Sequence, residues 1–456
     1  MALHAATAVM SKQDPGPRPL GIADLMAFGC LALPLAALNL PFYVYLPTFY
    51  VRELGIDLAV VGGILLVARV LDVLTDPIIG TAGDRTSTRF GRRRPWVLAS
   101  VPLLLLASWQ LFLPPDDAGG LYLFVWSSLA YLAWTMILLA YSAWGAELSP
   151  DYNERSRIFG ARESFVILGV LTAAALPTLI GSDPGSSRTM ASIFWMMAVA
   201  LPVATLILLW RIDERRYVEA HAIPFVTGVR TALANRPFRQ LIFAYLLNGV
   251  ANGLPATLFL LFVQHVIDAP DAGGPLLLLY FASGLVAIPF WLMVSYRIGK
   301  HRAWSFSMLW VCAVFAFVPF LGSGDVWWFA LICLLSGVSL GADLALPTAM
   351  QADVVDADSV ETGNRRAGFY FALWSMATKL SFALAVGIAF MALDLVGFAA
   401  DAPSNDAQAL FALSTLYALL PLVMKLASIG LVWNFEIDAA RYSELRKKLA
   451  SVEGTI

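Results

Sequence analysis

Long apolar stretches, each close to the roughly 20 residues that a helix needs to cross the hydrocarbon core of a bilayer, recur along this chain between short polar breaks. Twelve can be laid down, at 21–50, 58–82, 96–114, 121–146, 162–181, 189–211, 238–266, 275–297, 303–322, 326–348, 367–394 and 409–434. The residues are 59% hydrophobic and only 14% charged, against the roughly 45–50% apolar content usual for a soluble domain, which excludes that class. The expected fold class is an all-α membrane protein. The first stretch is too long for a cleaved signal peptide and lacks a small-residue cleavage site, so it is expected to stay as the first helix. Cys30, Cys312 and Cys333 fall inside apolar runs without metal-ligand spacing and read as small core residues.

Orientation follows from arginine and lysine. The odd-numbered loops carry Arg52 and Arg188 beside acids such as Asp116, Asp183, Asp268 and Asp401, whereas nearly all other basic residues lie in the even-numbered loops and the tails. By the positive-inside rule both termini are cytoplasmic, which demands an even number of spans. Residues 1–20 are then a cytoplasmic tail, 21–211 a first six-helix bundle, 212–237 a basic cytoplasmic linker, 238–434 a second six-helix bundle and 435–456 a second tail. The halves echo each other. GRRRP from Gly91 follows the second helix as GKHR from Gly299 follows the eighth, and AELSPDYNERSRIFGARE from Ala146 is answered by ADVVDADSVETGNRRAG from Ala352. Such a repeat predicts two bundles related by a pseudo-two-fold axis along the membrane normal, with a substrate site between them near the midplane, which is the major facilitator architecture.

The second stretch departs from apolarity at its centre. In ARVLDVLTDPIIG, from Ala68, a helix puts Arg69, Asp72 and Asp76 on one face with Thr75 beside them. Each ionisable group near the bilayer centre costs roughly 2.5–3.5 kcal/mol even on a lenient insertion scale, so three so close together need mutual pairing. Two readings follow from the residues alone: an Arg69–Asp72 pair that locks helices together, or a site for a coupling cation or proton. Two carboxylates and neighbouring hydroxyls offer the hard oxygens that a small hard cation prefers, and carboxylates this close can instead share a proton.

LDVLTDPIIG, then DRTSTRFGRRRPW, and later ADVVDADSVETGNRRAGFY with Lys379 downstream, resemble the signature of the glycoside-pentoside-hexuronide:cation symporter family. The resemblance implies that Asp72, Thr75, Asp76, Thr135 and Lys379 form the site for a coupling Na⁺ or H⁺. It implies less about the solute. The positions with which galactoside carriers of that family grip sugar fall near Ala36, Leu138 and Ser142, while the arginine at the start of the fifth helix is kept as Arg162 and Trp144 could replace the lost ring. Asn39, Tyr43, Arg69, Asp343 and Trp374 complete the expected substrate contacts. A cavity so short of acids suits a bulkier, less hydroxylated ligand than a disaccharide.

The expected function is secondary active transport: cation-coupled symport of a small organic solute such as a glycoside, by alternating access, with a carrier of a lipid-like or aromatic amphipath as the alternative. Asp84, Arg85 and Arg89 are expected to pair with Glu147, Asp353, Asp356 and Arg365, closing the cytoplasmic side in one state only. Asp343 either lines the cavity or pairs with Lys379, and Lys425 is expected to pair or snorkel. An enzyme is not expected, because there is no nucleophile with a paired histidine, no His/Cys cluster and no Gly-rich phosphate loop. No cofactor is expected beyond the coupling ion. The expected partners are a small-molecule solute and membrane lipids, without nucleic acid, for a monomer in a bacterial inner membrane.

Overall fold

Backbone amides in lipid have no water to bond, so segments this apolar must close their hydrogen bonds within helices. The computed structural model describes residues 20–39, 41–183, 185–214, 225–362, 366–399 and 405–444. Its long helices are α1 (Ile22–Arg52), α2 (Leu58–Arg85), α3 (Arg94–Phe112), α4 (Gly120–Leu148), α5 (Tyr152–Leu179), α6 (Ser187–Arg211), α7 (Arg236–His265), α8 (Gly273–Ile298), α9 (Lys300–Phe315), α10 (Val326–Thr362), α11 (Ala367–Leu395) and α12 (Ala407–Val432). Among the described residues eleven helices are long and apolar enough to cross a membrane. The charged α2, at 28 residues, adds one of spanning length.

Three boundaries differ from the hydropathy reading. α5 begins at Tyr152 rather than 162 because the Asp151 side chain accepts from the Glu154 N–H and caps it. α10 runs on through Thr362, beyond the apolar limit at 348, because its polar extension buries its acids against basic partners. The expected linker 212–237 contains a helix at Phe225–Ala234, and α7 already opens at Arg236 behind the Asn235 cap. Residues 1–19 and 445–456 of the expected tails lie outside the described residues.

Proline explains the two irregular spans. α1 is interrupted after Gly29 and Ala37 and contains a π turn at Pro41–Tyr45; α12 contains a π turn at Thr415–Leu419. Each π turn ends two residues before a proline, Pro47 or Pro421. A proline ring clashes with the carbonyl four residues back, here Tyr43 or Tyr417, and the wider turn moves that carbonyl aside. In α1 the same turn presents Tyr43 to α2.

The core has three parts. One apolar cluster lies wholly within the first half, from Leu25 to Ile212, and another wholly within the second, from Val250 to Ala418. The third joins the halves: Ile79, Leu139, Tyr152 and Phe159 pack with Trp291, Tyr370, Phe371 and their neighbours. It lies at the end of the molecule that carries the basic loops. There α2 and α11 touch backbone to backbone, since a Cβ on Gly80 would fall 2.5 Å from the Gly368 carbonyl oxygen, and one on Gly368 would fall 2.4 Å from that of Gly80. No side chain fits between them. Trp327 and Trp328 are both largely exposed at the start of α10, where amphipathic rings suit a membrane surface.

Candidate cation and substrate site

The spacing of α2 puts Asp72 and Asp76 on the face that meets α4 and α11. Both are buried. The Thr135 hydroxyl lies 2.7 Å from Asp72 Oδ1 and 3.1 Å from Asp76 Oδ1. From the other half, Lys379 Nζ donates to both oxygens of Asp76 at 2.8 Å and lies 2.7 Å from Asp72 Oδ2. Arg69 pairs with Asp72 Oδ2 at 3.1 Å, hydrogen-bonds the Tyr43 hydroxyl and sits over the Tyr43 and Tyr131 rings. Two carboxylates thus face two cations, so the site is neutral without a further ion. Both readings of the sequence, ion pair and oxygen-rich site, coexist in one cluster.

Access to the cluster is graded. The side chain of Arg69 is 29% exposed, that of Asp72 2% and that of Asp76 0%, falling along α2 toward the basic end. Tyr43, which holds Arg69 on that side, is 49% exposed. The cluster is therefore reached from the end opposite the basic loops and is sealed toward them.

Several expected participants stand elsewhere. Thr75 is turned back along its own helix, its hydroxyl donating to the Asp72 carbonyl at 2.9 Å. Ser375, one turn before Lys379, lies beside Asp76 instead; no acidic or basic signal in the sequence marks it. Trp144 is 1% exposed within the first-half core, under the Arg94 guanidinium, so it is not on the cavity wall as expected. Asn39 is part-buried at the break in α1. Trp374 stacks on Tyr245 of α7 at 3.7 Å, and Tyr245 shares a 3.0 Å hydrogen bond with Thr378. Arg162 lies over the Tyr141 and Phe159 rings.

Asp343 belongs to a closed polar knot inside the second half. Its oxygens accept from Trp304 Nε1 at 2.7 Å, Lys425 Nζ at 3.1 Å and Asn252 Nδ2 at 3.2 Å, while Lys425 also donates to Asn248 at 2.7 Å. The partner is Lys425, not Lys379, because Lys379 is drawn across to the first half. Removing one member of a buried pair costs about 3–5 kcal/mol, whereas removing both can be nearly neutral. Lys425→Met is therefore expected to lower the apparent Tm in detergent strongly, and Asp343→Leu/Lys425→Met to restore most of it. A double variant as unstable as the single one would contradict this assignment.

The basic end is closed by polar contacts that differ in detail from those expected. Asp84 accepts from the Gly368 and Phe369 N–H groups, both at 2.8 Å, and so caps α11 from the opposite half. Its side-chain partners are Arg92 and Arg93, and Arg93 also holds Glu147 at 2.6 Å. Burial works against the Arg93 charge, but Glu147 and then Asp84 outweigh it and hold its pKa above the usual arginine value. Arg155 bridges to Asp353 at 3.2 Å and Asp356 at 2.7 Å across the halves, and Lys300 binds Asp353 at 2.6 Å. The Tyr442 hydroxyl lies within hydrogen-bond distance of both Asp356 and the Pro150 carbonyl. Arg85 and Arg89, expected in this gate, are exposed, because both project from the loop-facing end of α2 and the turn after it. Arg365 lies outside the described residues. The sequence marked Arg155 and Lys300 only as topological charges.

A profile of the family described as MFS/sugar transport protein matches residues 27–439. The chain belongs to this family. It is a multi-pass integral membrane transporter of the major facilitator superfamily, and not an enzyme. Among curated relatives of this transporter, an uncharacterised symporter of Synechocystis sp. is 26% identical, over 89% of the chain and 92% of its own length. The sodium-dependent lysophosphatidylcholine symporter 1 of Mus musculus is 23% identical over 85% and 80%, and the sphingosine-1-phosphate transporter of the same animal 26% over 92% and 90%. Two solved structures share the transporter's fold. The E. coli fucose:proton symporter aligns with TM-score 0.64 and 11% identity, over 89% of the chain and 97% of its own. A bacterial homologue of ferroportin in an outward-facing state aligns with TM-score 0.66 and 15% identity, over 90% and 99%.

Proposed function

We propose that this transporter is a Na⁺-coupled symporter of an amphipathic, lysolipid-like solute. The observation that carries the reading is that Lys379 of the second half occupies the oxygen cluster of the first, Asp72, Asp76 and Thr135, in a site open from one end only. Na⁺ needs the same oxygens that the ammonium holds, so entry of Na⁺ displaces Lys379. The freed ammonium then seeks an anion, and an anionic group on the solute supplies one beside Arg69. Cation and solute thereby raise each other's affinity, which is the linkage that symport requires. Na⁺ is favoured over H⁺ because the cluster is built of hard oxygens and because curated relatives are sodium-dependent by name. Their named solutes, a lysophospholipid and a phosphosphingoid, favour the lipid-like alternative over a glycoside.

With the basic end cytoplasmic, as the positive-inside rule requires, the closed gate corresponds to an outward-facing state, with both termini in the cytoplasm. Membership in the glycoside-pentoside-hexuronide:cation group rests on the α2 and α10 motifs and stays a proposal, as do a bacterial inner membrane and a monomeric carrier. Proteoliposomes with imposed Na⁺ or proton gradients test the reading against lysophosphatidylcholine and melibiose. Na⁺-driven accumulation of the lysolipid, with little melibiose uptake, is expected. Gradient-driven melibiose uptake without lysolipid uptake would replace it with the glycoside reading.

A further inference from the structure

Outside the cation cluster and the Asp343–Lys425 knot, the spanning helices carry a further charged pair, Arg162 and Glu163 on α5. Glu163 is 5% exposed, near the middle of the helix. Among the described residues its ion-pair partner is its own neighbour, with Arg162 Nε and Glu163 Oε1 3.5 Å apart, a separation beyond an ordinary hydrogen bond. Arg162 Nε is buried without a hydrogen bond. One edge of the guanidinium thus loses solvation that no protein group returns, and the carboxylate is left with a long contact to its own neighbour. Helix packing does not need such a pair. A ligand with complementary charges does.

The surroundings say what kind of ligand. Arg162 lies over the Phe159 ring, which meets Phe371 of the opposite half, and Tyr245 of that half, stacked on Trp374, is within electrostatic range of both charges. Thr378, which holds the Tyr245 hydroxyl, immediately precedes Lys379. The pair therefore lies where the halves meet, near the Tyr245–Trp374 stack and the helix that carries Lys379. A carboxylate beside aromatic rings suits an ammonium group, the quaternary kind above all, while a guanidinium suits a carboxylate or phosphate. A neutral sugar supplies neither charge.

We infer that Glu163 is a specificity-determining residue that receives a cationic group of the solute, so that zwitterionic solutes are separated from purely anionic ones. The choice of ligands rests on the lysolipid reading above; the role of Glu163 does not. The test uses the full chain in nanodiscs with Na⁺ present, and compares lysophosphatidylcholine with lysophosphatidylglycerol of the same acyl chain. The unmodified protein is expected to prefer the choline lipid by about tenfold or more, the scale of one charge-assisted contact. Glu163→Gln should erase that preference by weakening the choline lipid alone, and Glu163→Asp should retain much of it. The Na⁺-dependent rise in thermal stability should be the same in all three proteins, since the α2 cluster is intact. If Gln does not yield folded protein, Glu163→Met keeps the volume and is read in the same way. Equal weakening of both lipids, or an unchanged preference, overturns the inference. A second pair, aminohexyl and hexyl glucoside, separates the two proposals. If no lysolipid binds but the amine is preferred through Glu163, the lysolipid reading fails and this one stands; a protein that separates neither pair overturns it.

Discussion

Asp76→Asn is expected to abolish Na⁺-driven accumulation, bringing the solute ratio across a proteoliposome membrane to about one, from a ceiling near fifty-fold set by one charge moving through about 100 mV. The reason lies in the cluster. Asp76 is fully buried and both of its oxygens are engaged by Lys379. The amide keeps the shape but removes one charge and one hard ligand, so the Lys379 ammonium is left half compensated and Na⁺ gains little by displacing it. Exchange of solute down its own gradient should survive, because the gate residues and the Tyr245–Trp374 wall are untouched. Asp72→Asn adds a second consequence: Arg69 loses its carboxylate, so a lower yield of folded protein is expected as well. Transport of radiolabelled solute with and without a Na⁺ gradient measures both. If the two variants accumulate solute at the rate of the unmodified protein, the α2 carboxylates are structural and the symport reading loses its foundation.

Arg155→Gln is expected to open the basic end. Arg155 is buried, and its two ion pairs, to Asp353 and Asp356, tie α5 of the first half to α10 of the second. Removing one partner of a buried ion pair costs about 3–5 kcal/mol. If that cost falls mainly on the closed state, the equilibrium between states moves by about a hundredfold to several thousandfold. Spin labels at Ser87 and Arg302, both exposed at the basic end of opposite halves, report the change as a longer distance distribution in Arg155→Gln than in the unmodified protein. Arg441→Gln serves as the control. Its pair with Glu444 is exposed on both sides, and such pairs contribute little. Matching distributions for all three proteins would mean that the apolar cluster and the Gly80–Gly368 contact close this end without the ion pairs.

Much of the transporter is local in origin and legible in the order of its residues. Most of its spans follow from runs of apolar residues, because a bilayer admits few alternatives to a helix of that length. The shared face of Arg69, Asp72 and Asp76 follows from helical periodicity alone. Family resemblance added Thr135 and Lys379, which the fold brings to within hydrogen-bond distance of those carboxylates.

What the residues could not disclose was partner choice. Asp343 and Lys379 looked available to each other, yet each is claimed by a nearer group, Lys425 in one case and the α2 acids in the other. Hydropathy treats Arg85, Arg89, Arg155 and Lys300 alike, as charges that fix topology. Only packing turns the last two inward and leaves the first two exposed. Glu163 and Ser375 stood unmarked for the same reason. A helical sequence determines which residues share a face and whether that face can tolerate lipid. Which charge meets which depends on the rotation and contact of helices distant in sequence, and that is decided only when the two halves close on each other.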